Sequence, residues 1–314
     1  MRREASLDST REPTARGRFA PSPTGPLHFG SLLAALASYL DARHAGAAWL
    51  VRMEDLDPPR AVPGAADAIL RTLEALGLRW DGHVMHQSER GDAYQAAVDR
   101  LTAAGLTFVC GCSRRDVAEL GDPGPEGPVY PGTCRNGLPS DRKPRSVRMR
   151  VGHHVIRFHD RLQGAQIQDL ARDVGDFVIR RADGPFSYHL AVVVDDGAQG
   201  ITDVVRGADL IRSTGRQILL QESLGLPHPR YLHIPVAVDP AGRKLGKSLG
   251  SPAIAARHAG VLLRAALDLL GQRPPDGCAD PAELLAWAVR NWNPGRLPAT
   301  ASVTVDPDRL PGPE

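Results

Sequence analysis

Gly17-Arg18-Phe19-Ala20-Pro21-Ser22-Pro23-Thr24-Gly25-Pro26-Leu27-His28-Phe29-Gly30-Ser31 is the stretch whose reading decides the fold. Its first four residues read as a short strand, and Pro21 to Pro26 as a tight loop. Beyond it Leu32, Leu33, Leu36, Tyr39 and Leu40 recur at helical spacing and predict a helix over about 29–44. A strand feeding a helix through a Pro/Gly loop is where open parallel sheets bind ligands. The free N–H groups of such a helix attract phosphate. His28 adds a side-chain donor at the same place, and Gly30 lets a nucleotide come close to the backbone.

Working outward, the alternation continues. Trp49-Leu50-Val51-Arg52-Met53 reads as a buried strand. A helix opening at Pro63 carries Ile69, Leu70, Leu73 and Leu76 on one face, and another is expected from Gly91 to Ala104. Strand–helix–strand–helix order predicts an α/β fold with a parallel sheet. The rhythm breaks near residue 110, where Val147 to Phe158 is strand-like. The sheet pattern is expected to resume with Asp176-Phe177-Val178-Ile179-Arg180, then with Leu190-Ala191-Val192-Val193-Val194-Asp195-Asp196 as a further strand. Ile234-Pro235-Val236-Ala237-Val238 is another strand, and two helices are expected near 252–270 and 281–292.

The interrupting stretch holds Cys110-Gly111-Cys112, a Gly/Pro-rich run from Gly121 to Gly132, and Cys134. It has little core of its own. Three thiolates suit Zn²⁺, which takes four ligands in a closed structural site. By spacing alone the fourth could be His153, His154 or His159. With no signal peptide, four cysteines in 314 residues do not make a disulfide framework. Cytoplasmic metal-binding or buried thiols are the expectation.

Composition excludes several classes. A hydrophobic fraction of 42% is not that of a disordered chain. The apolar run near Leu32 to Leu40 falls far short of the roughly 18 residues that cross a bilayer. The charged first residues, with Arg2, Arg3, Glu4 and Asp8, read as a polar extension. A net charge of +2 excludes a uniformly basic surface, so nucleic acid must meet a local patch. The run Arg142-Lys143-Pro144-Arg145-Ser146-Val147-Arg148-Met149-Arg150 is the candidate. Only three of the 38 basic residues are Lys. Two of these, Lys244 and Lys247, share Lys244-Leu245-Gly246-Lys247-Ser248, a loop able to neutralise charge on a transferring phosphoryl group.

Together, the His28-x-Gly30 loop and Lys244-x-x-Lys247-Ser248 resemble the HIGH and KMSKS signatures of class I aminoacyl-tRNA synthetases. Arg18 through Gly30 is similar to the start of a glutamyl-tRNA synthetase. So are Val51-Arg52-Met53-Glu54-Asp55-Leu56-Asp57, Ala191 to Asp196, and Gly200-Ile201-Thr202-Asp203-Val204-Val205-Arg206-Gly207-Ala208-Asp209. The sequence ends at Glu314, soon after Ser248, and this shorter layout resembles the glutamyl-queuosine tRNA(Asp) synthetases. That family has the catalytic domain without an anticodon-binding domain. Ser31 stands where HIGH has its second His, and Gly246 where KMSKS has its middle Ser.

The resemblance implies a Rossmann-like sheet in two halves, 17–109 and 176–250. Between them lies an inserted zinc-binding subdomain, 110–175. A flexible extension, 1–16, precedes the sheet, and a helical C-terminal region, 251–314, follows it. It implies catalytic His28, Lys244 and Lys247, and ATP at His28, Gly30, Ser31 and Lys247. It places glutamate at Arg18, Phe19, Ala20, Pro21, Ser22, Glu54, Tyr188 and Arg206. The chemistry agrees, since glutamate needs Arg for its carboxylates and an acid for its ammonium. The implied zinc set is Cys110, Cys112, Tyr130 and Cys134, with the phenol pKa lowered by the metal. Mg²⁺ would come with ATP. The expected partners are ATP, L-glutamate and tRNA(Asp) carrying queuosine, acted on by a cytoplasmic monomer with no membrane contact. The competing expectations are a compact glutamyl-tRNA synthetase charging a 3′ end, and a catalytically silent paralogue binding RNA or protein.

Overall fold

The computed structural model describes residues 15–246, 254–278, 280–306 and 310–311. In chain order the elements are β1 (Arg16–Phe19), α1 (Phe29–His44), β2 (Ala48–Met53), α2 (Ala65–Ala75), β3 (Met85–His86), α3 (Gly91–Ala103) and β4 (Thr107–Cys110). There follow α4 (Arg114–Leu120), β5 (Ser146–Met149), β6 (Val155–Asp160), β7 (Gly164–Asp169), α5 (Leu170–Asp173) and β8 (Phe177–Arg180). The chain continues through α6 (Tyr188–Gln199), β9 (Asp203–Gly207), α7 (Ser213–Leu224), β10 (Arg230–Ile234) and β11 (Val236–Val238). It closes with α8 (Ala259–Leu269), α9 (Pro281–Asn291) and β12 (Ser302–Thr304).

The main sheet runs β3-β2-β1-β9-β10-β6-β7 and is parallel except for the β6–β7 hairpin. Period-2 alternation sends its side chains to two cores. Trp49, Val51, Met53, Val205 and Leu232 face α1, α2, α8 and α9. Leu50, Val204, Ile156 and Tyr231 face α3, α6 and α7. Helices on both faces explain why β2 reads as an apolar run broken only by Arg52. α1 begins at His28, whose side chain caps the helix. It buries Leu32, Leu33, Leu36 and Leu40.

Four sequence expectations change. Leu190 to Asp196 is not a strand but the body of α6. Ser187 caps its start, and Gly200 ends it with a φ of 63°. Asp176 to Arg180 does not join the main sheet: β8 pairs with β5 in a separate antiparallel sheet, β4-β5-β8. The strand-like Val147 to Phe158 is two strands in two sheets, β5 and β6. Likewise, Pro235 interrupts the Ile234 to Val238 strand, leaving β11 to pair with β12. Among the described residues no helix is long and apolar enough to cross a membrane.

Candidate active site and metal cluster

β1 has β2 on one side and β9 on the other, so the strand order reverses between β1 and β9. At such a switch point the loops leaving the carboxyl ends of the strands diverge and leave a crevice. A cavity of about 920 Å³ opens there. It stands at the upper end of the roughly 300–1,000 Å³ usual for small-molecule sites. Arg18 to Ser22 leave β1, Glu54 leaves β2, Arg206 closes β9 and Tyr188 opens α6, and all line the cavity. Glu54 N–H donates to the Pro21 carbonyl at 2.9 Å, which ties the first loop to the end of β2.

The charges are arranged in a chain. Arg52 is fully buried, and its Nη2 lies 2.8 Å from Asp196 Oδ1 and 3.8 Å from Glu54 Oε1. Arg18 Nε lies 3.5 Å from the same Asp196 oxygen. Burial raises the Asp196 carboxyl, but Arg52 and Arg18 outweigh it and hold it below the usual value. For Glu54 the balance goes the other way: burial pushes it up to about 7 against Arg52 and Arg18. Burial and the nearby Glu54 also raise the Tyr188 phenol, so it stays neutral. The Arg206 guanidinium donates from Nε to His233 Nε2 at 3.0 Å and from Nη2 to Thr214 Oγ1 at 2.9 Å. Its buried Nη1 has no hydrogen-bond partner among the described residues.

Both signature loops reach this cavity. His28 Nδ1 accepts from Ser31 N–H at 3.2 Å, and its Nε2 lies 2.9 Å from Ser31 Oγ. Nδ1 therefore carries the lone pair and Nε2 the proton, donated to Ser31. A Cβ on Gly30 would come within 2.9 Å of the Leu245 carbonyl, so glycine there lets the two loops touch. Lys244 lines the cavity, and its Nζ donates to Asp209 Oδ2 at 2.5 Å. Lys247 and Ser248 lie outside the described residues.

Away from the cavity, Cys110, Cys112 and Cys134 bring their Sγ atoms within 4.8 Å of one another, all buried. The Tyr130 hydroxyl is 3.4 Å from Cys110 Sγ and 3.9 Å from Cys112 Sγ. Four donors also reach these sulfurs. Cys112 N–H and Arg148 Nε point at Cys110, Gly111 N–H at Cys134, and Arg142 Nη1 at Cys112. Burial raises the Cys110 thiol, but Tyr130, Cys112 N–H and Arg148 bring it down to about 7. This donor set fits a soft divalent ion. His153, His154 and His159 are exposed and do not join it.

Sequence reasoning missed Asp209 at the cavity, and Asp160, Thr214 and His233 behind Arg206. The one local signal was a polar residue inside an apolar strand, His233 between Leu232 and Ile234.

A cavity lined by both signature loops and two arginines, at a parallel-sheet switch point, is the layout of a class I synthetase catalytic domain. The profile of the tRNA synthetases class I (E and Q), catalytic domain, matches residues 14–255. A glutamyl-Q tRNA(Asp) synthetase of Chromobacterium violaceum is 56% identical over 284 residues, covering 90% of this chain and 95% of its own. One from Geobacter sulfurreducens is 54% identical over 306 residues, covering 94% and 98%. The chain belongs to the glutamyl-Q tRNA(Asp) synthetase family within class I. A solved glutamate-tRNA synthetase from Elizabethkingia anophelis has a TM-score of 0.77 at 24% identity. It covers 94% of this chain and 68% of that one, and the likeness is one of fold.

Proposed function

We propose that this protein is a cytoplasmic ligase that activates L-glutamate with ATP and transfers it to tRNA(Asp), onto the queuosine base of the anticodon. The observation that carries the reading is the meeting of Arg18, Glu54 and Arg206 with both signature loops in one cavity. Two guanidinium groups and one carboxylate complement the two carboxylates and one ammonium of glutamate.

In the first step an oxygen of the glutamate α-carboxylate attacks the α-phosphorus of ATP, and pyrophosphate leaves. Arg206 and Arg18 take the carboxylates, Glu54 takes the ammonium, and neutral Tyr188 supplies a hydroxyl. Phe19, Ala20, Pro21 and Ser22 form the wall beneath them. His28, Gly30 and Ser31 at the start of α1 face the nucleotide. Lys244 and Lys247 neutralise the charge that develops on the transferring group. Mg²⁺ bound with ATP would neutralise phosphate charge. In the second step a hydroxyl of the queuosine cyclopentene ring attacks the adenylate carbonyl carbon, and AMP leaves. No protein nucleophile is needed, so catalysis is positioning and charge stabilisation.

The same reading divides the chain into Rossmann-like catalytic halves, 17–109 and 176–250, with a zinc-binding insert, 110–175. The insert rejoins the main sheet through β6 and β7. The expected extension, 1–16, falls mostly outside the described residues, and Arg16 already belongs to β1; the 251–314 region carries α8 and α9. Zinc on Cys110, Cys112, Cys134 and Tyr130 would fasten the small buried cluster that these four form with Phe108 at the end of β4. The protein acts as a monomer.

The test is transfer of labelled glutamate to tRNA(Asp) with and without queuosine. Label that needs queuosine supports the proposal. Label on the 3′ end of either tRNA would favour the compact glutamyl-tRNA synthetase instead.

A further inference from the structure

Behind Arg206 lies a buried line of groups that the activation step does not use. Asp160 Oδ2 is 2.6 Å from His233 Nδ1, and His233 Nε2 accepts from Arg206 Nε. Asp160 and His233 are fully buried. Asp160 also accepts the backbone N–H groups of Leu162, Gln163 and His233, so its oxygens are fixed. Thr214, equally buried, takes Arg206 Nη2.

The geometry fixes the tautomer. An arginine cannot accept, so His233 Nε2 must be the lone pair and Nδ1 the proton, donated to Asp160. Burial, with Arg206 beside it, depresses His233 to about 4 despite Asp160, so the ring is neutral at pH 7. A second consequence concerns Arg206 itself. Nε and Nη2 form one edge of its fork, and His233 and Thr214 occupy that edge. The other edge, Nη1 with the second hydrogen of Nη2, remains, and Nη1 is buried without a partner among the described residues. Two parallel N–H groups on that edge match one carboxylate.

We infer that Asp160, His233 and Thr214 are positioning residues that turn Arg206 so that its Nη1/Nη2 edge receives a substrate carboxylate. The inference rests on the assignment of Arg206 to glutamate. His233 never touches substrate; it fixes the rotation of a group that does, so glutamate recognition depends on a residue one layer behind the cavity wall.

Four variants test it in glutamate-dependent ATP–pyrophosphate exchange: His233→Leu, His233→Gln, Thr214→Val and Arg206→Ala. Losing one hydrogen bond to the charged group raises the glutamate KM by about tenfold or more in His233→Leu, and by several-fold in Thr214→Val. The ATP KM stays near wild type in both, and His233→Gln, which restores an acceptor, recovers most of the loss. A melting curve establishes that each variant is folded. If His233→Leu does not fold, Thr214→Val and His233→Gln decide. An unchanged glutamate KM in folded His233→Leu and Thr214→Val, with Arg206→Ala impaired, overturns the positioning role alone. An unchanged KM in Arg206→Ala overturns the assignment of the site as well. A parallel rise in the ATP KM would show general damage and also overturn it.

Discussion

Arg52 and Asp196 are joined by a buried ion pair, Nη2 to Oδ1 at 2.8 Å, between β2 and α6. Arg52 also donates to Gln199 Oε1 at 2.7 Å. Removing one partner leaves an uncompensated charge, which costs about 3–5 kcal/mol. Arg52→Met is expected to lower unfolding free energy by that amount in urea titration. Since the pair shares one interaction, Arg52→Met with Asp196→Leu should cost less than the sum of the two single changes. Simple additivity would remove the pair from the account.

Glu54 predicts two pH effects. Burial raises its folded value from 4.5 to about 7, so between these values the folded chain holds a proton that the unfolded chain has lost. Its contribution to stability is therefore complete below about pH 4.5 and is lost as pH rises through 7, by up to roughly 3 kcal/mol. Glu54→Gln should flatten that part of the stability profile. Binding runs the opposite way, because the substrate ammonium needs the carboxylate. At pH 6.5 glutamate binding should release a proton, seen by calorimetry in buffers of different ionisation enthalpy. Proton release that survives in Glu54→Gln would assign it to another group.

How much of this was legible in the sequence depends on distance along the chain. β1, α1 and β2 follow from local pattern and turn residues, and lie close to their expected bounds. α6 was misread because Leu190, Ala191, Val192, Val193, Asp195 and Asp196 are all buried, which erases the polar face that marks a helix. Its valines then favour a strand reading. The caps at Ser187 and Gly200 were the signal that could have corrected it. Residues that line the cavity through local motifs, such as Arg18, Glu54 and Arg206, were legible. His233 and Asp160, 73 positions apart, were not, because only the pairing of β10 with β6 brings them together.

Lys244 is held at the cavity by Asp209, with 55% of its side chain exposed. An ammonium that exposed can exchange a carboxylate for a phosphate at little cost in desolvation. Lys244→Ala should lower kcat for pyrophosphate exchange by about 10²-fold, the usual loss for one donor to developing charge, with the glutamate KM little changed. Equal turnover in Lys244→Ala would exclude the lysine from the phosphoryl-transfer step.

The cysteine cluster gives the metal prediction. Deprotonated together, three sulfurs this close would repel one another, and two arginines with two backbone N–H groups would offset only part of that charge. A divalent cation completes the balance, so the purified protein should carry about one zinc per chain. Cys134→Ser should lose it. Tyr130→Phe should keep the three thiolates and bind more weakly, by roughly 10–100-fold if the hydroxyl only orients them, and more if it is a ligand. Chelation should raise hydrogen exchange in β4, β5 and β8, which lie beside the cluster. β1, β2 and β9 should stay protected, because their core is built from Trp49, Val51 and Val205 and owes nothing to the metal. Protein that contains no zinc and exchanges β4-β5-β8 no faster after chelation would show that buried thiols and the Arg148–Tyr130 stack hold this region without a metal.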